Sequence, residues 1–143
     1  MKICVVGLGY IGLPTALLLA EAGNTVVGVD INTKIITTLS GGELPFNELG
    51  LSELFQRTKH RFTATSSVES SEVYIIAVPT PLKNGIKLAD LSAVKSAAES
   101  IAKVIKEEQL VILESTVPPG TSEQLIIPIL NTYMKKYLPG VLV

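Results

Sequence analysis

Ile3-Cys4-Val5-Val6 runs directly into Gly7-Leu8-Gly9-Tyr10-Ile11-Gly12, and the apolar stretch that follows leads to Val26-Val27-Gly28-Val29-Asp30. The order is strand, glycine loop, helix, strand, acid. Each glycine sits where a side chain would obstruct. Gly7 lets the chain turn sharply off the first strand, Gly9 lets backbone approach a pyrophosphate, and Gly12 lets the helix pack closely. A helix that opens there offers unpaired N–H groups and a partial positive charge to a phosphate. Pro14 suits its first turn, where no N–H bond is lost. Asp30 ends the second strand, where a carboxylate can accept hydrogen bonds from both hydroxyls of an adenosine ribose. It would repel a 2′-phosphate, so NAD is expected over NADP. Lys34 is the one nearby cation that could soften that preference. Ordinary turn glycines and a strand-capping acid would have no reason to fall in this order.

The rest of the composition fits one domain over residues 1–143, long enough to bury a core. Net charge is −1 with no basic run, so nucleic acid is not an expected partner. Aromatic residues at 5% also argue against a base-stacking surface. Hydrophobic residues reach 47%, and the mean hydropathy is +0.44. A parallel sheet covered on both faces accounts for part of this, and a surface that meets another domain or subunit for the rest. The uncharged run from Ile3 to Ala20, with Ala20-Glu21-Ala22 after it, imitates a signal peptide or membrane helix. Gly7, Gly9, Gly12 and Pro14 break it where a strand-turn-helix needs breaks, so neither a membrane span nor a leader is expected. Cys4, the single cysteine, falls inside the first strand and reads as a small buried residue; it rules out an internal disulfide.

Strands are expected near 2–6, 25–30, 72–78 and 110–114, with a short one near 61–64. Asn32 can cap a helix that runs to Leu39 and ends at Gly41-Gly42. A short helix is expected over Leu51–Arg57. Leu91, Val94, Ala98, Ile101 and Ile105 recur at helical spacing behind Asp90 as a cap, with Lys103 and Lys106 near the end. Thr121-Ser122-Glu123-Gln124 reads as a capping box ahead of Leu125, Ile126 and Ile129. Apolar strands alternating with helices give an α/β doubly wound parallel sheet, a Rossmann-type dinucleotide-binding fold.

Ligands of such sheets sit beyond the carboxyl ends of the strands. Besides the glycine loop, two segments leave strands there. Ala77-Val78-Pro79-Thr80-Pro81-Leu82 is held extended by its prolines, and Thr80 offers a hydroxyl to a ribose or phosphate. Glu114-Ser115-Thr116-Val117-Pro118-Pro119-Gly120-Thr121 places Ser115 and Thr116 at the nicotinamide end. Glu114 is either a base or, more simply, a solvated or helix-directed carboxylate. His60, between Lys59 and Arg61, reads as exposed. No cluster has metal-ligand spacing.

These motifs, together with Leu13-Pro14, Val29-Asp30-Ile31-Asn32 and Glu48-Leu49-Gly50-Leu51, occur in the same order as in the UDP-glucose/GDP-mannose dehydrogenase family, which the chain resembles over nearly its whole length. Tyr10 and the Glu114-Ser115-Thr116 opening look most like the branch acting on UDP-N-acetylmannosamine, with the UDP-N-acetylglucosamine and UDP-glucose branches as close competitors. The resemblance implies NAD-dependent oxidation of a sugar C6 alcohol to a carboxylate in two steps, through an aldehyde and a cysteine thioester. It implies that Gly7, Gly9, Tyr10, Ile11 and Gly12 hold the pyrophosphate, and that Asp30 and Lys34 meet the adenosine end. Val78, Pro79, Thr80 and Ser115 would touch the cofactor. Thr116 would stand near the nicotinamide as the catalytic residue, orienting a water or the substrate.

Two departures from the family pattern stand out. Family members often carry Lys or Arg where this chain has Ile35, with Lys34 one residue earlier. The family's nucleophilic cysteine, catalytic lysine and asparagine, dimerising helix and UDP-binding domain come later than residue 143. The expectation is therefore an N-terminal NAD-binding domain that binds NAD but does not turn over a UDP-sugar alone. It would belong to a cytoplasmic, homodimeric enzyme of polysaccharide biosynthesis. Three rivals are a β-hydroxyacid or 6-phosphogluconate-type dehydrogenase, a methyltransferase using S-adenosylmethionine, and a non-catalytic NAD-sensing module. The first two are disfavoured by Leu13-Pro14, the Pro-Thr-Pro loop and Ser115-Thr116; the third has no need of a Ser-Thr loop at the nicotinamide end.

Overall fold

The computed structural model describes residues 1–83 and 88–137. Along the chain come β1 (Lys2–Val6), α1 (Gly12–Glu21), β2 (Thr25–Val29), α2 (Thr33–Ser40), α3 (Leu51–Thr58), β3 (Phe62–Thr65), β4 (Val73–Ile76), α4 (Ser92–Ala102) and β5 (Leu110–Leu113). A π-helical turn, Ser122–Ile126, leads into α5 (Ile127–Tyr137). The strands form one parallel sheet in the order β3-β2-β1-β4-β5. The chain winds outward from β1 through β2 to β3, then returns to the other side of β1 as β4. The reversal between β1 and β4 opens a crevice at the carboxyl ends of those strands, where the glycine loop leaves β1.

Strand alternation divides the core in two. Ile3 and Val5 point to one face with Val26 and Ile75, covered by Leu13, Ala16 and Leu17 of α1 and by Leu54 and Phe55 of α3. Cys4 and Val6 point to the other with Val27, Val29, Tyr74 and Ile76, covered by Val94, Ala98 and Ile101 of α4 and by Leu130 of α5. Each fully buried leucine or isoleucine contributes about 1.5–3 kcal/mol by leaving water. Burial also pushes the Cys4 thiol up to about 11, so it stays protonated at neutral pH and is no nucleophile. Leu110 and Ile112 of the edge strand β5 remain exposed, and other exposed apolar residues, Ile31 and Leu49 among them, are scattered over the surface.

The expected strands and helices are present, with boundaries shifted by one or two residues, except that the helical spacing expected to reach Ile105 gives an α4 that ends at Ala102. The expected strand over 72–78 stops at Ile76 because Pro79 has no N–H and the Val78 carbonyl bonds to Ser115 instead. Asn32 caps α2 through its side chain, which accepts from the Lys34 N–H at 3.1 Å. Asp90 accepts from the Ser92 N–H at 2.9 Å, and that bond holds its carboxyl below the usual range. The capping box at Thr121 does not form. The Thr121 hydroxyl donates to the Pro118 carbonyl at 2.7 Å and caps no N–H. The chain then makes a π-helical turn ahead of Pro128, which has no N–H to give the Gln124 carbonyl.

At the amino ends of the strands, opposite the crevice, Tyr74 is fully buried and satisfied. Its hydroxyl accepts from the Ser71 N–H at 3.0 Å and donates to Gln109 Oε1 at 3.2 Å. Gln109 Oε1 also accepts from the Lys106 N–H at 2.8 Å. Tyr74→Phe removes the acceptor of a buried N–H and is expected to destabilise the fold by about 1–3 kcal/mol. Urea denaturation should show a lower midpoint with an unchanged slope.

Candidate functional site

The crevice holds a cavity of about 590 Å³ lined by Gly7, Gly9, Asp30, Ile35, Val78 and Pro79, with Ser96, Ser100 and Lys103 of α4 on its wall. Gly7 has φ of +98°, and a Cβ there would stand 2.6 Å from the Ala77 carbonyl oxygen. The loop from β1 and the loop from β4 are in contact through that glycine. A Cβ on Gly12 would collide with the Gly7 carbonyl oxygen. The first turn of α1 therefore lies directly on the loop it follows, rather than on the sheet alone.

Asp30 has two backbone partners. Oδ2 accepts from the Leu8 N–H at 2.8 Å and Oδ1 from the Asn32 N–H at 2.8 Å. It thus ties the end of β2 to the glycine loop of β1, a role the sequence reading did not assign to it. Each carboxylate oxygen keeps a free lone pair for a further donor. The N–H groups of Tyr10, Ile11 and Gly12 have no acceptor among the described residues, which leaves them to an anion at the start of α1.

Some expected residues gather at the cavity and others do not. Gly7, Gly9, Asp30, Val78 and Pro79 line it. Tyr10 and Ile11 are 70% and 61% exposed, and the Tyr10 ring packs against Phe46 with centroids 4.5 Å apart. Lys34 is exposed and does not line the cavity, whereas its neighbour Ile35 does. Lys103, which the sequence reading placed only as a helix-end cation, does line it.

Thr80, Ser115 and Thr116 form a separate polar seam between the two proline loops. The Ser115 hydroxyl donates to the Val78 carbonyl at 2.7 Å. The Thr80 hydroxyl donates to the Thr116 carbonyl at 2.6 Å, and the two threonine hydroxyls are 3.0 Å apart. Glu114 Oε1 accepts from the Thr15 hydroxyl of α1 at 3.2 Å, so its carboxylate is directed at a helix. His60 is exposed. The α4 wall was missed; its signal is the small-residue spacing Ala93, Ser96, Ala97, Ser100. No group of three or more metal-ligating side chains and no helix long and apolar enough to cross a membrane occurs among the described residues.

These features fit a dinucleotide. A Cβ on Gly9 would meet nothing within 4 Å, so the loop leaves space beside backbone donors, and a carboxylate with free lone pairs shares the cavity. Comparison with known proteins agrees. Residues 1–141 match the NAD binding domain of the UDP-glucose/GDP-mannose dehydrogenase family. The chain is 45% identical, over 87% of its length, to a UDP-N-acetyl-D-mannosamine dehydrogenase of Methanococcus maripaludis, and covers 30% of that protein. It is also 45% identical, over 86% of its length, to an NDP-N-acetyl-D-galactosaminuronic acid dehydrogenase of Ralstonia nicotianae, and covers 29% of it. Among solved structures, the native UDP-N-acetyl-mannosamine dehydrogenase Cap5O of Staphylococcus aureus superposes with a TM-score of 0.88 at 38% identity, covering 92% of this chain and 33% of that one. The chain thus spans about a third of the length of these relatives. It belongs to the UDP-glucose/GDP-mannose dehydrogenase family and carries that family's NAD binding domain.

Proposed function

We propose that this chain is the cofactor-binding part of an NAD-dependent nucleotide-sugar 6-dehydrogenase whose substrate is UDP-N-acetylmannosamine. Asp30 carries the reading: its two oxygens are fixed by Leu8 and Asn32 at the wall of a cavity that the glycine loop also lines. Their remaining lone pairs suit the 2′- and 3′-hydroxyls of an adenosine ribose and disfavour a 2′-phosphate. Gly7, Gly9 and Gly12 shape the loop, and the N–H groups of Tyr10, Ile11 and Gly12 take the pyrophosphate. Val78, Pro79 and Thr80 border the cofactor from the β4 side. Lys34 lies near the adenosine end, outside the cavity. Ser115 holds the β5 loop against Val78, and Thr116 orients the hydroxyl of a substrate or water at the nicotinamide end. NAD supplies the hydride acceptor when bound.

The sugar assignment draws on relatives named for UDP-N-acetyl-D-mannosamine, with UDP-glucose as the alternative. An NAD-consuming oxidation of this kind suits the cytoplasm, and a uronic acid product suits polysaccharide assembly. We assign the longer enzyme a homodimeric state. The chain by itself binds NAD without oxidising UDP-sugar, since Cys4 is buried and protonated.

Calorimetric titration of NAD and NADP into the chain tests this. NAD is expected to bind at least about tenfold more tightly, a difference of about 1.4 kcal/mol. Equal affinities, or NADH formation by this chain from UDP-N-acetylmannosamine, would overturn the reading.

A further inference from the structure

The geometry points to Thr80 as a positioning residue that fixes the direction of the Thr116 hydroxyl, so that Thr116 meets the reacting groups as a hydrogen-bond acceptor. This rests on the proposal that Thr116 serves the nicotinamide end. Thr80 Oγ1 has one proton and lies 2.6 Å from the Thr116 carbonyl oxygen, which can only accept. That proton is therefore committed to the carbonyl. The Thr116 hydroxyl lies 3.0 Å from the same Thr80 oxygen, and with the Thr80 proton already placed, only Thr116 can donate across that contact.

Both members of the pair are thereby ordered. Thr80 clamps the backbone of the β5 loop and accepts the Thr116 proton, leaving the Thr116 lone pairs turned away from Thr80. Thr116 is exposed, so those lone pairs are open to an incoming group. A group so oriented receives an alcohol or water O–H, or a carboxamide N–H. It does not donate to a carbonyl or alkoxide oxygen, so stabilising developing negative charge falls to other groups. The two residues lie 36 apart in sequence, on loops leaving β4 and β5. The arrangement therefore exists only once those strands have paired.

The test uses the side-chain rotamer of Thr116, which three-bond couplings to its methyl carbon report by NMR on the chain itself. One rotamer is expected in the unmodified chain and in Thr80→Ser, which keeps the hydroxyl. Averaging is expected in Thr80→Val, which keeps the shape and loses it. Thr80→Ala gives the same comparison where the valine variant does not fold. A single unchanged Thr116 rotamer in both variants without the hydroxyl would overturn the proposal, as would averaging in the unmodified chain. NAD titration on the same samples separates the two layers. Failure of the unmodified chain to bind NAD removes the functional reading; a Thr116 rotamer indifferent to Thr80 removes the positioning role alone.

Discussion

Gly12→Ala is expected to destabilise the domain by about 3 kcal/mol and to reduce NAD affinity by at least about 100-fold. The added Cβ would land on the Gly7 carbonyl oxygen, a backbone atom with little room to move. Gly7 is itself held by its N–H bond to the Val29 carbonyl at 2.7 Å and by its closeness to Ala77. The remaining response is for α1 to lift. That loosens Leu13, Ala16, Leu17 and Ala20, all of them buried, and displaces the N–H groups that suit a pyrophosphate. Gly9→Ala is the informative companion. Its φ is not positive and its Cβ would meet nothing within 4 Å. Stability should hold to within about 0.5 kcal/mol, while NAD affinity falls because the new methyl occupies the ligand's space. Urea denaturation and calorimetry on both variants check the pair. Loss of stability in Gly9→Ala, or near-normal NAD binding by Gly12→Ala, would contradict the division of labour between the two glycines.

Asp30→Ala is expected to act on stability and on cofactor choice together. The variant removes the acceptor of the partly buried Leu8 N–H and that of the Asn32 N–H, at a cost of about 1–3 kcal/mol. It also removes the ribose contacts and the charge that repels a 2′-phosphate. NAD affinity should fall about 10–100-fold, and the preference for NAD over NADP should shrink toward parity. Asp30→Asn keeps one acceptor oxygen but turns an amide donor toward one of two backbone N–H groups. It should lose stability as well. A destabilised Asp30→Ala that retains its full preference for NAD would leave Asp30 as a structural tie only.

What was legible in the sequence is what local chemistry encodes. The glycine spacing, the acid at the end of β2 and the alternation of apolar strands with helices determine the sheet and the position of the crevice. Asn32 read correctly as a cap because the bond it makes spans two residues. The failures share a different cause. Thr121 has the spacing of a capping box, yet its hydroxyl found the Pro118 carbonyl and the helix began as a π-turn before Pro128. The second role of Asp30, the Thr80–Thr116 pair and the Ser115–Val78 bond join segments 22, 36 and 37 residues apart. No periodicity carries such pairings; they follow from which strands become neighbours. Ile35 and Lys103 line the cavity by the same logic, through the placement of whole helices.

The outer flank of β5 bears on how this chain behaves at high concentration. Among the described residues β5 pairs only with β4, so one row of its amides and carbonyls faces outward, beside the side chains of Leu110 and Ile112. Such an edge is a template that accepts any extended segment of matching register. Its four residues limit the number of rungs, yet its apolar side chains favour drying of the contact. Self-association of the chain at high concentration is thus expected to run along the flank of the sheet beyond β4, and Ile112→Lys, which sets a charge beside that edge, is expected to raise the concentration at which it begins.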